Sequence, residues 1–185
     1  MAEDVLSVRE IQISDIENIV RYWLNSDHAF LQSMGVDLNK VPSREKLMSA
    51  LSEQLELPLQ QKRSYCIIWE LNKIPIGHSN TNPTVFGIEG YMHLHIWDKT
   101  IRKRGLGLRF VNMTLPYFFN NLKLKMLFSE PYALNPPPNK TLEKAGFDLL
   151  KEYITVPGWL NFEQPVKRWA LSYEKFKQIT KDNGT

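Results

Sequence analysis

The chain has 185 residues, of which 43% are hydrophobic and 23% are charged. This length and composition suit a single domain over 1–185 with a sizeable core. The net charge of +3 is too small to indicate a nucleic-acid partner by itself. The sequence opens without a signal segment, and no apolar stretch is long enough to span a bilayer. We therefore expect a cytoplasmic protein with no membrane partner. The single cysteine, Cys66, lies in an apolar run and is expected to be a small core residue.

Residues 1–63 are predicted to form one strand and two helices. A short run of β-branched and apolar residues over 5–11 predicts the strand. The sequence SDIE at 14–17 matches a capping box, and apolar residues follow it at helical spacing. A second helix is expected between the prolines at 42 and 58, whereas 25–41 is expected to be irregular.

Residues 64–173 predict several strands and two further helices. The pair at 72–73 suits a tight turn between two strands, and Gly77 inside the second strand indicates a bulge or a close backbone approach. The helix from Gly105 contains Pro116, which is expected to kink or split it. The predicted strands are 64–71, 74–79, 91–97, 123–130, 147–156 and 166–173, with a polar turn region at 80–90, a short helix at 139–145 and a frayed tail at 177–185. This order predicts an α/β protein with a mixed sheet covered by helices.

A basic loop with two glycines joins a predicted strand to a predicted helix. In the pattern Arg102-x-x-Gly105-x-Gly107, the backbone can turn tightly and point its N–H groups into one hollow at a helix N-terminus, which favours an anion. Five basic residues and no acidic residue lie in 99–109, which also indicates an anionic ligand. Phe110 stands where a dinucleotide fingerprint needs a third glycine, and no Walker sequence is present. An ordinary connection between strand and helix is the alternative.

Two histidines precede this loop on one strand. His93 and His95 are two residues apart and therefore share a face with Tyr91 and Trp97. An imidazole titrates near pH ~6.5, so either histidine could deprotonate an ammonium nucleophile. The alternative is that one or both are ordinary hydrogen-bonded sheet residues. The spacing from Gly87 resembles the start of a cupin metal motif, but the glutamate that this motif needs is absent, so we expect no metal site.

Two segments resemble the GNAT superfamily of acyl-CoA N-acyltransferases. The pattern Arg102-x-x-Gly105-x-Gly107 is similar to the family's phosphate-binding loop, Arg/Gln-x-x-Gly-x-Gly/Ala. The segment NPPPNKTLEKAGF at 135–147 is similar to a second motif of the family. The preceding SEPYAL at 129–134 resembles the branch that includes the ribosomal-protein N-terminal acetyltransferases. The resemblance covers 64–173 and is weakest over the first 60 residues.

This resemblance implies a mixed, mostly antiparallel sheet of six to seven strands, splayed at its centre and flanked by helices. The pantetheine arm of acetyl-CoA, the expected co-substrate, would lie in the gap between the strands at 91–97 and 123–130. Residues 64–173 would form the acyl-CoA-binding core, and 1–63 the acceptor side. The residues implied to bind the co-substrate are Ile96, Trp97, Arg102, Lys103, Arg104, Gly105, Leu106, Gly107, Leu108, Asn135 and Asn139.

The resemblance also implies transfer of an acetyl group to a primary amine by direct attack, with His95 or His93 as the candidate base. Leu142 stands where many members have the tyrosine that protonates the leaving thiolate, so Tyr132 or water is the candidate acid. The acceptor is expected to be a small-molecule or peptide amine, and the protein a monomer or homodimer. Two alternatives stay open: an aminoglycoside, polyamine or siderophore-type acceptor, and a non-catalytic acyl-CoA-binding module.

Overall fold

The computed structural model describes residues 4–98, 100–102 and 105–182. Seven strands form one sheet in the order β1-β2-β3-β4-β5-β7-β6. The β4–β5 pair is parallel and the other neighbouring pairs are antiparallel. The strands are β1 (Leu6–Glu10), β2 (Tyr65–Leu71), β3 (Ile74–Val85), β4 (Glu89–Ile96), β5 (Met126–Ser129), β6 (Asp148–Thr155) and β7 (Gln164–Ser172). The predicted mixed, mostly antiparallel sheet is confirmed.

Helices cover both faces of this sheet. They are α1 (Ile16–Asn25), α2 (His28–Ser33), α3 (Arg44–Glu56), α4 (Leu106–Pro116), α5 (Pro136–Lys144) and α6 (Tyr173–Asp182). On the face covered by α4, Trp69 stacks on Phe110 with 5.1 Å between ring centroids and donates its indole N–H to Thr114 at 2.9 Å. On the opposite face, Ile19 of α1 packs with Cys66 of β2 in a buried cluster. Cys66 is therefore a core residue, as predicted.

Local sequence signals explain several element boundaries. Asn72 and Lys73 take left-handed conformations, with φ of 53° and 65°, as a two-residue hairpin turn requires. Ser43 precedes α3 and accepts a backbone N–H of its first turn at 3.4 Å. Pro116 ends α4, and the chain continues as a π-helical turn over Tyr117–Asn121. The predicted interruption of this helix at the proline is confirmed.

Two predictions for the N-terminal region were wrong. Residues 25–41 contain α2, because the carboxylate of Asp27 accepts a backbone N–H of its first turn at 3.0 Å and caps the helix. The capping box predicted at 14–17 does not form. Instead, a 3₁₀ turn precedes α1, and the carboxylate of Asp15 accepts the backbone N–H of Gln12 at 2.8 Å.

The polar region at 80–90 is mostly strand, which corrects the predicted turn. β3 continues to Val85, and its pairing with β4 shifts register between Thr81 and Thr84. The hydroxyl of Thr84 donates to the hydroxyl of Thr81 at 2.7 Å, and both side chains are buried. Buried polar groups that bond to each other allow a polar sequence to occupy a central strand.

The predicted frayed tail at 177–185 is also corrected. α6 extends to Asp182, and Phe176 in this helix stacks on Phe119 with 4.6 Å between ring centroids. This aromatic contact fixes the helix against the core. Residues 183–185 lie outside the described part of the chain.

The sheet diverges at its centre, as the resemblance implies. β4 and β5 pair from Glu89 with Met126 to Tyr91 with Phe128, and the ladder described between them ends there. β4 continues to Ile96 with β3 as its described partner. The register shift found in the β3–β4 pairing lies in β3, between Thr81 and Thr84. The divergence leaves one backbone edge of β4 open along its second half.

Gly77 of β3 allows the backbones of β3 and β4 to approach each other closely. The β2–β3 register shifts between Trp69 and Glu70, next to the pair that Trp69 makes with Gly77. A Cβ on Gly77 would lie 2.4 Å from the backbone carbonyl oxygen of His95. Both features that the sequence indicated at this glycine, a bulge and a close backbone approach, are therefore present.

Gly77→Ala should lower the free energy of unfolding by about 1–3 kcal/mol, because the added methyl group must push two paired strands apart. Urea denaturation measures this loss. Gly107→Ala is the matched control, since its Cβ would meet its nearest described neighbour, Thr141, at an ordinary 3.7 Å. Equal stability of Gly77→Ala and wild type would contradict the close approach.

Candidate active site

The open edge of β4 presents backbone groups to the gap. The carbonyl of Met92 accepts the hydroxyl of Ser129 at 2.8 Å, and that of Ile96 accepts Nε–H of Arg102 at 3.0 Å. The carbonyl of His93 points the other way, toward β3, where it accepts the hydroxyl of Ser79. Since successive peptide groups of a strand alternate in direction, the N–H and C=O of Leu94 also point into the gap. An extended ligand could pair with this edge as a strand would.

The glycine turn lies where β4 leads into α4. Gly105 precedes the helix with φ of 73°, and no described atom lies within 4 Å of where its Cβ would be. Gly107 has similar free space on its exposed side. The first N–H groups of α4 have no intrahelical acceptor and carry the positive end of the helix dipole. Lys103 and Arg104, predicted to contact phosphate, lie outside the described residues.

Arg102 is bound to the end of β4. Its guanidinium donates to the carbonyls of Ile96 and Trp97, at 3.0 and 3.1 Å, and lies over the ring of Phe30 with 3.7 Å from Cζ to the ring centroid. Burial lowers the pKa of this guanidinium. These bonds hold Arg102 at the end of β4, and its predicted role in phosphate binding stays a prediction.

The two predicted asparagines have different environments. Asn139 is buried; its Nδ2 donates to the carbonyls of Tyr132 and Asn135, and its Oδ1 accepts the indole N–H of Trp169 at 2.9 Å. It therefore holds the turn between β5 and α5 against β7. Asn135 precedes α5 and is partly buried, and its side chain does not cap that helix. The amide of Asn135 is thus better placed to bind a ligand than that of Asn139.

His93 is the first residue beyond the last β4–β5 pair whose side chain shares the face of Tyr91. Its Nε2 lies 2.7 Å from the carbonyl oxygen of Asn82. Because a carbonyl can only accept, Nε2 carries the proton and Nδ1 holds the lone pair of the neutral ring. Burial lowers the pKa of His93, whereas the Asn82 bond and the charge of Glu130 oppose that shift.

His95 lies farther along β4 in an aromatic cluster. Its ring stacks on His78, 4.7 Å away between centroids, and Trp23 approaches edge-on at 5.2 Å. Its Nδ1 lies 3.1 Å from the hydroxyl oxygen of Tyr22. Burial, the two other histidines and Arg102 hold the pKa of His95 well below its ordinary value. Both predicted bases are therefore neutral imidazoles at neutral pH.

His78 and Tyr22 are parts of this cluster that the sequence did not reveal. The indole N–H of Trp97 donates to Nδ1 of His78 at 2.8 Å, so the proton of His78 is on Nε2. Burial lowers the pKa of His78 to about 3 and raises that of the Tyr22 phenol. The sequence offered one signal for His78, namely a histidine inside a predicted strand.

The position of the usual acid and the candidate acid Tyr132 have different surroundings. Leu142 is fully buried in the core on the α4 face, as its apolar side chain requires. Tyr132 lies just beyond β5, forms an isolated bridge with Val166, and meets the ring of Phe162 edge-on with 6.1 Å between centroids. Its role as proton donor stays a prediction.

Residues 4–98, 100–102 and 105–182 contain no group of three or more His, Cys, Asp or Glu side chains placed to hold a metal ion. Nor does any helix in those ranges have the length and apolar character needed to cross a membrane.

Comparison with known proteins identifies the family. The family model described as acetyltransferase (GNAT) domain matches residues 6–148. A comparison with curated protein sequences found no match. Spermidine N-acetyltransferase from Vibrio cholerae, solved with CoA and spermine, is similar with a TM-score of 0.75 and 17% identity, over 93% of this chain and 98% of that chain. A ribosomal L7/L12 alpha-N-protein acetyltransferase solved with coenzyme A is similar with a TM-score of 0.74 and 14% identity, over 94% of this chain and 99% of that chain.

The chain therefore belongs to the acetyltransferase (GNAT) domain family, since the family model covers well over half of it. The predicted resemblance is confirmed. The identities to the solved structures are low, so these likenesses establish the shared fold alone.

The buried imidazole of His78 should make the protein sensitive to acid. Its pKa is about 3 in the native state and near 6.5 in the unfolded chain. Between these values the unfolded chain binds a proton that the native state does not. Stability is therefore complete above pH ~6.5 and falls by about 1.4 kcal/mol for each pH unit below it.

In His78→Gln the side-chain carbonyl can still accept the indole N–H of Trp97. As the pH is lowered, the free energy of unfolding of this variant should fall less steeply than that of wild type, by about 1.4 kcal/mol per pH unit. Urea denaturation between pH 7 and pH 5 measures the slope. His28→Gln is the control, because His28 is exposed at the start of α2. A slope unchanged in His78→Gln would show that His78 is not buried as a neutral group.

Proposed function

We propose that this protein transfers the acetyl group of acetyl-CoA to a primary amine by direct attack, as one acyltransferase domain acting in the cytoplasm. The observation that carries the proposal is the open edge of β4 directly beside an open glycine turn. The edge fits the amide groups of a pantetheine arm, and the N–H groups at Gly105–Leu108 fit a pyrophosphate. The bound thioester supplies an activated acetyl group and a thiolate leaving group.

The preferred base is His93. Its Nδ1 lone pair is available in the tautomer that Asn82 imposes. Once protonated, the ring still donates Nε2–H to Asn82 and is favoured by the charge of Glu130. The groups around His95, in contrast, all disfavour its protonated form. His93 therefore takes the proton of the acceptor ammonium, and His95 shapes the pocket beside it.

Backbone groups assist the attack. The N–H of Leu94, aimed into the gap, is positioned to stabilise negative charge on the acetyl oxygen as the amine adds. Tyr132 or water then protonates the departing thiolate. Because a thiolate of ordinary basicity leaves without strong acid assistance, the apolar Leu142 at the usual acid position is compatible with this route.

The acceptor proposed is a small-molecule or peptide amine. The similar proteins of known structure are named for spermidine and for a ribosomal protein, which spans both classes. Several carboxylates converging on the cleft would favour a polycationic acceptor. Asp27 and Asp37 instead accept backbone N–H groups of their own turns, and Glu130 pairs with Arg168 at 3.4 Å. These contacts give no specific support for a polyamine over a peptide.

Gly107→Val should weaken acetyl-CoA binding at least about tenfold, because the larger side chain fills the space beside the first N–H groups of α4. Isothermal titration calorimetry measures the dissociation constant. The melting temperature should stay close to that of wild type, since no described backbone atom crowds this position. Undiminished binding would place the pyrophosphate elsewhere.

His93→Gln should lower kcat by about 100-fold or more while leaving the acetyl-CoA dissociation constant unchanged, because general-base assistance typically contributes this much. His95→Gln is the matched comparison and should cost less than about tenfold. Thiol release with an amine acceptor measures both. A greater loss in His95→Gln would reverse the assignment.

In wild type, kcat/KM should stay level from pH 8 down to pH ~6.5 and fall at lower pH, since the pKa of His93 is lowered.

A further inference from the structure

Two segments that are distant in sequence pair with each other near the end of β4. We call them the clasp: residues 34–37, after α2, and residues 160–164, at the start of β7. The N–H of Asp37 donates to the carbonyl of Leu160 at 2.8 Å, and the N–H of Phe162 donates to the carbonyl of Gly35 at 3.3 Å. The side-chain amide of Asn161 donates to the same Gly35 carbonyl at 2.9 Å. The clasp is therefore a short piece of antiparallel sheet.

The centre of the clasp is buried. Gly35 has φ of 85°, and a Cβ there would lie 1.8 Å from Oε1 of Gln164. Gln164 is 1% exposed and Val36 is 3% exposed. Outside the clasp, the ammonium group of Lys40 donates to the carbonyl of Asn161 at 2.7 Å. Glycine at 35 is thus required by both conformation and space, and the two segments fit one another closely.

The clasp connects the two sides of the divergent sheet. On the β4 side, Sδ of Met34 accepts the hydroxyl of Tyr22 at 3.5 Å, and that hydroxyl contacts His95. On the β5 side, the ring of Phe162 meets Tyr132, which lies three residues after the end of β5. β4, the clasp and β5 are therefore joined by one continuous chain of contacts, which we call the ring.

We propose that the clasp stays closed during turnover, so that the acceptor amine reaches His93 end-on through this ring. This rests on the proposed function and narrows its substrate. A closed ring admits a primary amine at the end of a slender, unbranched chain, such as a linear alkylamine or an extended peptide N-terminus. It excludes an amine mounted directly on a rigid, bulky ring system.

A disulfide across the clasp tests this directly. Val36 and Asn161 are the opposed residues of the bridge, and the bonds flanking them make them a non-hydrogen-bonded pair. Such pairs have Cα atoms about 4.5 Å apart, which lies within the range that a disulfide spans. In Val36→Cys with Asn161→Cys, the native Cys66 is buried and apart from the clasp. The double variant can therefore be locked by oxidation and released by a reductant.

The locked and released forms should acetylate spermidine, or a short peptide with a free N-terminus, with kcat/KM values within about twofold of each other. A loss of more than tenfold on oxidation, restored by the reductant, would show that the clasp must open and would overturn the proposal. The two single-cysteine variants control for the substitutions. Absence of thiol release by wild type with every amine would count against the proposed function instead of the clasp.

Hydrogen–deuterium exchange tests the clasp without turnover. The backbone N–H groups of Asp37 and Phe162 should exchange within about tenfold of the rates in the β3–β4 ladder, with or without acetyl-CoA. Exchange as fast as in an unstructured peptide would mean a clasp that opens freely, and would also overturn the proposal.

Discussion

The rest of the site depends on the end of the β4–β5 ladder at Tyr91 and Phe128. A parallel ladder that stops in the centre of a sheet leaves backbone donors and acceptors facing a gap, and such groups are costly when they lack partners. The chain supplies some partners itself, through Ser129 at Met92 and Arg102 at Ile96. The peptide group of Leu94, between these two, is left for an extended ligand. Under the proposed function, the interruption makes part of the sheet's hydrogen-bonding capacity available to the co-substrate.

The histidines beside this surface show how burial selects a protonation state. His78, His93 and His95 occupy adjoining positions on β3 and β4, and burial is the largest influence on the pKa of each ring. Neutral imidazoles can pack against aromatic rings, which explains the stack of His78 on His95. They also remain able to accept a proton. His93 differs because the bond to Asn82 favours its protonated form, so it is the ring of the three that accepts a proton most readily.

Periodicity and turn chemistry predicted most of the sheet and the glycine turn, because their signals are local. The turn at 72–73, the interruption at Pro116 and the glycine before α4 each follow from the conformations that those residues favour. α2 was missed because its six residues bury Leu31 alone, which gives no periodic pattern. His78 was missed because its partners, Trp97 and His95, come from another strand. The orientation of Arg102 could not be predicted either, since a guanidinium can reach many acceptors and tertiary contacts choose between them.

Charge is divided along the chain in a way that the small net charge conceals. Residues 1–98 carry 13 acidic and 8 basic side chains, whereas 99–185 carry 7 acidic and 15 basic ones. The first part contributes α1, α2 and α3, and the second contains the glycine turn before α4. Under the proposed function, an ammonium acceptor would be attracted to the acidic first part and a phosphate-bearing donor to the basic second part. This attraction would favour one copy of each substrate in the gap over two copies of either.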